Sequence, residues 1–142
     1  LLLARAPIGI RPFLLSELSA ERLKQLGRHI LMPSYAVDVA AAQSLSLDPA
    51  CSVRKLAWNV IVHDCMTSSG GSGAPLLVRQ EQEYAIVGVH TGALLERDEA
   101  LHRVKLIGHE ATGAWTFAET IHELSARLKK GGSLEVAAPL AH

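Results

Sequence analysis

The feature that most restricts the fold of this chain is a glycine-rich segment, Gly70–Pro75 (GGSGAP), that runs directly into apolar sequence. The apolar run Leu76–Val78 follows it, and after a polar turn at Gln80–Glu83 a second apolar run covers Ala85–Gly92. Two short apolar runs joined by a polar turn are typical of a β-hairpin. We therefore predict that Ser72 lies on a tight loop at the entry to an antiparallel hairpin.

A loop of this composition suits a nucleophilic serine. Acyl transfer places negative charge on a carbonyl oxygen, and preorganised backbone N–H groups stabilise that charge. Glycines leave room for those groups to approach and reach backbone angles with φ > 0, so the amides of Gly70 and Ser72 are the candidate donors. The alternative is a flexible Gly/Ser-rich turn without a catalytic role. Pro75 and the segment Gly88–Gly92 (GVHTG) favour the site.

The segment His63–Gly92 resembles the trypsin-like (chymotrypsin-fold) serine peptidases, whose nucleophile lies in a G-x-S-G-x-P motif. Within that family it is most similar to the glutamyl-endopeptidase branch. His63–Cys65 (HDC) and Thr67 precede the loop, and Val87–Gly92 (VGVHTG) is similar to that branch's V-G-I-H-x-G strand. An α/β-hydrolase elbow, G-x-S-x-G, is excluded because Ala74 occupies its last glycine position.

The resemblance extends loosely over residues 1–130 and implies an all-β fold with a C-terminal helix. These residues are expected to form the second antiparallel β-barrel and the terminal helix of a chymotrypsin-like double-barrel fold, truncated at the N-terminus. Residues 131–142 are expected to be a flexible tail. Leu1–Gly9 (LLLARAPIG) looks like the continuation of the strand that carries the family's catalytic aspartate. That aspartate and the catalytic histidine are therefore expected upstream, in a missing N-terminal barrel, and this chain alone is expected to be inactive.

The resemblance also assigns roles to single residues. Ser72 is the expected nucleophile, and Gly70 and Ser72 are the expected oxyanion donors. Thr67 and His90 are expected to line the primary pocket and to hydrogen-bond a substrate glutamate, a task for which a histidine donor is suited. The alternative is that His90 is only a hydrogen-bonded strand residue. Trypsin-like specificity is disfavoured because Met66 stands where it requires an aspartate, and no cofactor or metal is expected.

No catalytic base is assigned within this chain. None of its seven histidines has the sequence context of the family's base. His63 is near Ser72 in sequence, but a hydrogen-bonded histidine at a strand end is the favoured interpretation. Metal sites built from His63 and Cys65, or from His102 and His109, have weak spacing and no supporting cluster.

Composition excludes some classes of function. Lys+Arg and Asp+Glu both number 14, and without a basic surplus nucleic acid is disfavoured as the main partner. No apolar run approaches the roughly 20 residues of a membrane span. Cys51 and Cys65 permit one disulfide, and the resemblance implies a secreted or periplasmic protein in which it would form. The alternative is two unrelated buried thiols.

The remaining patterns predict a coarse secondary structure. Leucine spacing over residues 14–26 favours a short helix, whereas the resemblance favours extended chain there. Ser34–Asp38 (SYAVD) resembles the family's Gly-Tyr-x-x-Asp turn, with Ser34 in place of the glycine. The other expectations are a strand end at Leu1–Ala4, strands at 29–32, 44–47, 52–62 (one or two) and 101–107, a turn at Asp48-Pro49, a loop at 91–98, a turn region at 108–113, and a helix that starts at Thr116 with a capping box.

Together these observations predict a serine endopeptidase that hydrolyses peptide bonds through an acyl-enzyme on Ser72. A preference for acidic residues before the scissile bond is a separate hypothesis. The rival from another class is a non-catalytic β-domain that binds peptides or partners on a decayed protease scaffold. A weaker rival is an anion-binding Gly/Ser loop, which lacks the lysine that a phosphate loop carries.

Overall fold

A computed structural model of the chain describes residues 8–16, 18–25, 29–38, 41, 43–100 and 102–130. The described residues form a mostly antiparallel β-sheet, with one short helix between the first two strands and another after the last strand, which confirms the predicted all-β class with a C-terminal helix. The elements in chain order are β1 (Leu14–Leu15), α1 (Ala20–Gln25), β2 (Ile30–Ser34), β3 (Ser46–Cys51), β4 (Val53–Ala57), β5 (Val60–His63), β6 (Pro75–Gln80), β7 (Glu83–Asp98), β8 (Arg103–Gly113), a 3₁₀ turn (Ala114–Thr116) and α2 (Ala118–Lys129).

The sheet brings its two edge strands together at one corner. Its strand order is β3-β2-β6-β7-β8-β5-β4, and β1 pairs in parallel with β7. The edge strands β3 and β4 are consecutive in the chain, and only Ser52 separates them. Because one residue spans at most about 3.6 Å, the sheet must curl until these edges meet. The Ser52 amide donates to Asp64 Oδ1 (2.6 Å) and its carbonyl accepts from the Asp64 amide (3.2 Å), which ties the corner to the end of β5.

The hydrophobic core joins side chains from α1 and from most of the strands. On β2, the side chains of Ile30, Met32 and Ser34 are buried while those between them are half-buried, the period-two pattern of a strand with one inward face. Full burial of one large apolar side chain contributes about 1.5–3 kcal/mol. The buried cluster consists of Leu23, Ile30, Met32, Cys51, Ile61, Cys65, Ala74, Leu76, Val78, Val87 and Ala111.

The hairpin predicted around the glycine-rich segment is confirmed. Strands β6 and β7 pair in antiparallel fashion from Pro75↔Val89 to Gln80↔Glu83. The strand predicted at 29–32 is β2, the region 52–62 is the pair β4 and β5, and the strand predicted at 101–107 is part of β8. The local alternation of apolar and polar residues was therefore sufficient to locate most of the strands.

Strands β7 and β8 form a long ribbon where a loop and a turn were predicted. The loop at 91–98 and the turn region at 108–113 are both wrong, because β7 runs to Asp98 and β8 runs to Gly113. The two strands pair from Gly88↔Gly113 to Asp98↔Arg103, with two register shifts on the way. Small and charged residues disfavour strands only weakly, and cross-strand pairing overrides that preference here.

Strand β3 continues through the turn predicted at Asp48-Pro49, so that prediction is also wrong. The strand predicted at 44–47 begins at Ser46 and extends to Cys51. Proline is tolerated because β3 lies at the edge of the sheet, where a missing N–H on the open side costs no ladder bond. As a result Asp48 is held at a register position opposite Met32.

The first helix is shorter than its leucine spacing predicted. Leu14 and Leu15 pair with β7, in line with the extended chain that the family resemblance favoured there, and α1 covers only Ala20–Gln25. At the start of α1 the Ser19 hydroxyl accepts a hydrogen bond from the Arg22 amide (3.3 Å). Side-chain capping of this kind is typical of a helix N-terminus.

The C-terminal helix begins two residues later than predicted, and the proposed capping box is wrong. Helix α2 starts at Ala118 and has no side-chain cap at its N-terminus. The Thr116 hydroxyl instead donates to the Gly113 carbonyl (2.8 Å) inside the 3₁₀ turn. The strand end predicted at Leu1–Ala4 and the tail predicted at 131–142 lie outside the described residues. Among the described residues, no helix has the length and apolar character needed to cross a membrane.

Candidate functional site

Ser72 lies exposed at the turn that connects β5 to β6. Gly70 and Gly73, on either side of it, have φ of +91° and +89°, angles that glycine adopts without strain. The turn closes through hydrogen bonds from the Gly71 amide to the Ser68 carbonyl (3.1 Å) and from the Ala74 amide to the Gly71 carbonyl (3.0 Å). The glycines of the sequence motif therefore stand where the backbone requires them.

Three hydrogen bonds fix this turn to the neighbouring strand β7. The Gly73 amide donates to the His90 carbonyl and the His90 amide donates to the Ala74 carbonyl, both at 2.8 Å. The Ser72 hydroxyl donates to the Thr91 carbonyl (3.3 Å). Ser72 is thus held beside the segment of β7 that begins at His90.

The amides of Gly70 and Ser72 donate to no other group within the described part of the chain. Both amides flank the serine hydroxyl, and the sheet ladder uses the amides of Gly73 and His90 instead. A pair of uncommitted backbone N–H groups next to a nucleophile is what oxyanion stabilisation requires. The geometry is therefore compatible with the roles predicted for Gly70 and Ser72.

Thr67 and His90 both lie next to the serine loop. Thr67 lies against Gly71, since the first atom that a Cβ on Gly71 would meet is Thr67 Oγ1. Thr67 Oγ1 donates to the Ser68 carbonyl (3.4 Å). His90 lies on β7, where its backbone pairs with Gly73 and Ala74, and its side chain is 4% exposed. The structure thus brings both predicted pocket residues to the serine loop.

Sequence reasoning missed that His90 belongs to a cluster of three histidines. His63 at the end of β5 and His109 on β8 are opposite each other in register, and the three ring centroids are 5.3–5.7 Å apart. His63 Nε2 lies 3.2 Å from His90 Nδ1. The only sequence signal was the presence of a histidine on each of three strands. Their convergence depends on the strand order β7-β8-β5, which the sequence does not state.

Hydrogen bonds determine where the protons of this cluster lie. The Cys65 amide donates to His63 Nδ1 (3.2 Å), so a neutral His63 carries its proton on Nε2 and donates it to His90 Nδ1. A neutral His90 must then carry its own proton on Nε2. His109 Nδ1 is buried and has no hydrogen-bond partner among the described residues. The cluster is therefore directional, with His63 donating toward His90.

Burial keeps these imidazoles neutral near pH 7. Burial, followed by the proximity of His90 and His109, lowers the pKa of His63 to about 4, although the Asp64 carboxylate acts in the opposite direction. Burial and then His109 lower the pKa of His90, and burial lowers the pKa of His109. A neutral imidazole still donates one hydrogen bond, and a hydrogen bond to the Glu110 backbone, which acts to raise the pKa of His90, is one use of that N–H in this structure.

The structure places no imidazole on the Ser72 hydroxyl within the described residues, because that hydroxyl donates to the Thr91 carbonyl. His63 is 0% exposed, and both of its ring nitrogens are occupied by the Cys65 amide and by His90. His63 is therefore a hydrogen-bonded structural histidine at a strand end, as the favoured interpretation of the sequence had it.

The predicted disulfide between Cys51 and Cys65 is confirmed, with the two Cα atoms 4.7 Å apart. It joins the end of β3 to the chain that leads into the serine loop. Since Cys65 is oxidised, it offers no thiolate to a metal at His63. Among the described residues, no group of three or more His, Cys, Asp or Glu side chains has an arrangement suited to a metal ion.

A cavity of about 640 Å³ is lined in part by the chain that leads into the serine loop. Thr67 and His109 contribute to its wall, whereas Ser72 and His90 do not. Its lining residues are Ala36, Asp38, Ser46, Leu47, Asp48, Pro49, Asp64, Met66, Thr67, Ser68, Leu106, Gly108 and His109. Ser72 therefore does not line this cavity, although the segment that carries Thr67 does. The sequence matches no protein-family model, and no curated protein matches it significantly.

Proposed function

We propose that this chain is the part of a trypsin-like serine endopeptidase that carries the nucleophile, and that Ser72 forms an acyl-enzyme with a peptide substrate. The observation that supports this proposal best is the loop itself. Ser72 is exposed, two glycines with positive φ flank it, and the amides of Gly70 and Ser72 are uncommitted among the described residues. Such a loop offers a hydroxyl and an oxyanion hole at the same point.

The sheet topology supports the finer assignment to the second antiparallel β-barrel of a chymotrypsin-like fold. Its edge strands β3 and β4 meet at Ser52, as they must where a sheet closes on itself. Four apolar side chains near the start of the described chain, those of Ile8, Ile10, Phe13 and Leu14, are 51–102% exposed. A missing N-terminal barrel would cover such side chains and would supply the histidine base and its aspartate.

The open edge of β7 supports peptide binding beside the nucleophile. Strand β6 pairs with β7 only as far as Pro75↔Val89, while β8 continues along the other edge of β7 to Asp98. Among the described residues, no strand pairs with the edge of β7 on the side of Ser72 from Gly92 to Arg97. An extended peptide adds to such an edge through main-chain hydrogen bonds, which would align a scissile carbonyl with Ser72.

Thr67 and His90 are proposed to form the primary pocket for an acidic side chain. A substrate carboxylate would accept hydrogen bonds from the Thr67 hydroxyl and the His90 ring, and the directional contact from His63 would orient that ring. The expected outcome is that His90→Leu lowers cleavage after glutamate by about tenfold or more and leaves cleavage after leucine within about twofold. A peptide library that varies the residue before the scissile bond measures both. Equal cleavage after Glu, Leu and Arg by the unmodified enzyme would contradict the acidic preference.

Covalent labelling tests the nucleophile directly. The full-length protein is expected to form one adduct with a fluorophosphonate, located on Ser72 by peptide mass spectrometry. The adduct is expected to disappear in Ser72→Ala and to persist in Ser69→Ala, which removes an exposed hydroxyl three residues away. No adduct in the unmodified protein, or an adduct on another residue, would show that Ser72 is not an activated nucleophile.

A second candidate is a peptide-binding β-domain without catalysis. It is favoured by one observation, that no imidazole contacts the Ser72 hydroxyl within the described residues. The two functions differ in what precedes Leu1 in the full-length coding sequence. A Thr-Ala-x-His segment followed by an aspartate would indicate the enzyme, and their absence would indicate the binding domain.

The proposed localisation, secreted or periplasmic, is supported by the disulfide.

A further inference from the structure

The serine loop depends on contacts from outside it, because residues 64–74 form no helix or strand. Between the end of β5 and the start of β6 the chain has few ladder bonds to hold it. Met66, Thr67 and Ser68 form part of the wall of the cavity of about 640 Å³. One side of this wall therefore faces the cavity, and its position depends on polar contacts and on the Cys51–Cys65 disulfide that precedes it.

Two carboxylates make those contacts from distant parts of the chain. Asp48 Oδ2 on β3 accepts the Met66 amide (2.7 Å) across 18 residues of sequence. Asp38 Oδ1, in the turn after β2, accepts the Ser68 hydroxyl across 30 residues. Both contacts are charge-assisted, which makes them stronger than bonds between neutral groups. The carboxylates thus hold the wall on either side of Thr67.

The turn that contains Asp38 also touches Gly70 itself. The Val37 amide donates to the Ser69 carbonyl (2.8 Å). A Cβ on Gly70 would lie 3.0 Å from Val37 Cγ2 and 3.1 Å from the Tyr35 carbonyl oxygen. This turn therefore packs against the residue whose amide is the first candidate oxyanion donor.

From these contacts we propose that Asp38 and Asp48 are positioning residues, which hold segment 66–70 so that Thr67 faces the pocket and the amides of Gly70 and Ser72 converge. The proposal rests on the proposed function for its chemical consequence. Neither carboxylate contacts Ser72, so both act through the backbone of the loop. This assigns a role to the SYAVD turn and to the Asp-Pro step in β3, which the nucleophile motif does not account for.

Hydrogen–deuterium exchange on the full-length protein tests the positioning without requiring catalysis. In Asp38→Ala and Asp48→Ala, amides within 64–74 are expected to exchange about tenfold faster, while amides of β6 and α2 keep their rates. Asp38→Asn and Asp48→Asn retain an acceptor oxygen and are expected to restore most of the protection. Glu119→Ala on α2 is the control and is expected to change nothing in the loop. Unchanged exchange in 64–74, or equal acceleration throughout the molecule, would overturn the proposal.

A second pair of variants tests the same contact if the alanine variants do not fold. Ser68→Ala removes only the hydroxyl that donates a hydrogen bond to Asp38. Ser69→Ala removes the hydroxyl of the next residue and is the control. Ser68→Ala is expected to speed loop exchange and to slow fluorophosphonate labelling of Ser72 by about tenfold, whereas Ser69→Ala does neither. Equal behaviour of the two variants would overturn the positioning role. A wild-type protein that takes up no label would instead contradict the peptidase function, and loop exchange would still decide the role of Asp38 and Asp48.

Discussion

At the scale of single residues, burial determines the chemistry of the histidines behind the serine loop. His63 has no exposed surface, and its neighbours are two other imidazoles and the Asp64 carboxylate. Protonating His63 would place a charge beside His90 and His109 in a poorly solvated site. The same ring in an unfolded chain takes up a proton readily, so the folded and unfolded states differ in proton affinity.

We therefore expect acid to destabilise the protein through His63. Its pKa is lowered from 6.5 to about 4 in the folded state, so the unfolded state binds more protons between these values. The stabilisation is present above pH 6.5, declines as the pH falls, and is lost by about pH 4, with a total on the order of 3 kcal/mol. Urea denaturation at pH 7, 5.5 and 4.5 measures it.

His63→Gln is expected to flatten this pH dependence, because it removes the titrating ring while keeping a polar side chain. His102→Gln, at an exposed turn, is the matched control and is expected to leave the curve unchanged. If His63→Gln and the unmodified protein lose stability in parallel as the pH falls, His63 is not the group responsible.

At the scale of elements, β7 connects the core to the candidate site. Its first half pairs with β6 and β1 and contributes buried side chains such as Ala85 and Val87, and its second half forms the exposed ribbon with β8. The change from one to the other falls at His90 and Thr91, where the serine loop is attached. A shift of β7 in the core would therefore move the carbonyl that receives the Ser72 hydroxyl.

The two glycines of β7 allow a matched test of this packing. A Cβ on Gly88 would lie 2.8 Å from Ile61 Cδ1 and 2.9 Å from the Thr112 carbonyl oxygen, whereas a Cβ on Gly92 would meet nothing within 4 Å. Gly88→Ala is expected to lower the free energy of unfolding by about 1–3 kcal/mol, and Gly92→Ala to change it little. Chemical denaturation measures both, and equal stability of the two variants would contradict the close approach of β5 and β8 to Gly88.

At the scale of the whole molecule, the disulfide joins an edge of the sheet to the serine loop. Cys51 ends β3, and Cys65 precedes the wall that carries Thr67. Cys51 and Cys65 are only 2% and 0% exposed, so the bond is part of the core and is shielded from reductants in the folded state.

Removing this disulfide is expected to destabilise the fold. The closed loop spans 14 residues of sequence, for which the chain-entropy model gives about 3 kcal/mol. The variant Cys51→Ala with Cys65→Ala is expected to unfold at a lower temperature, as measured by circular dichroism. Ser52→Ala, at the residue between β3 and β4, keeps the disulfide and is the comparison variant. A melting temperature of the double variant equal to that of Ser52→Ala would show that the bond contributes little.

The local parts of the fold and site were predictable from sequence. Alternating apolar residues located the strands, and the glycines around Ser72 predicted a turn with positive φ that presents a hydroxyl. The wrong turn and loop predictions, at Asp48-Pro49, 91–98 and 108–113, came from residues whose own preference is for turns or loops. Pairing with a neighbouring strand, or a place at the sheet edge, outweighed that preference in each case.

The sequence by itself determined the hairpin, the glycine-flanked serine and the cysteine pair, because each depends on residues near one another in the chain or on composition. Only the tertiary structure decided that His63, His90 and His109 meet, and that Asp38 and Asp48 reach across to the serine loop. The hydrogen bonds among these contacts join residues that are 18 to 30 positions apart in the sequence. They exist because the strand order and the curl of the sheet bring distant strands side by side, and no local pattern of residues encodes that order.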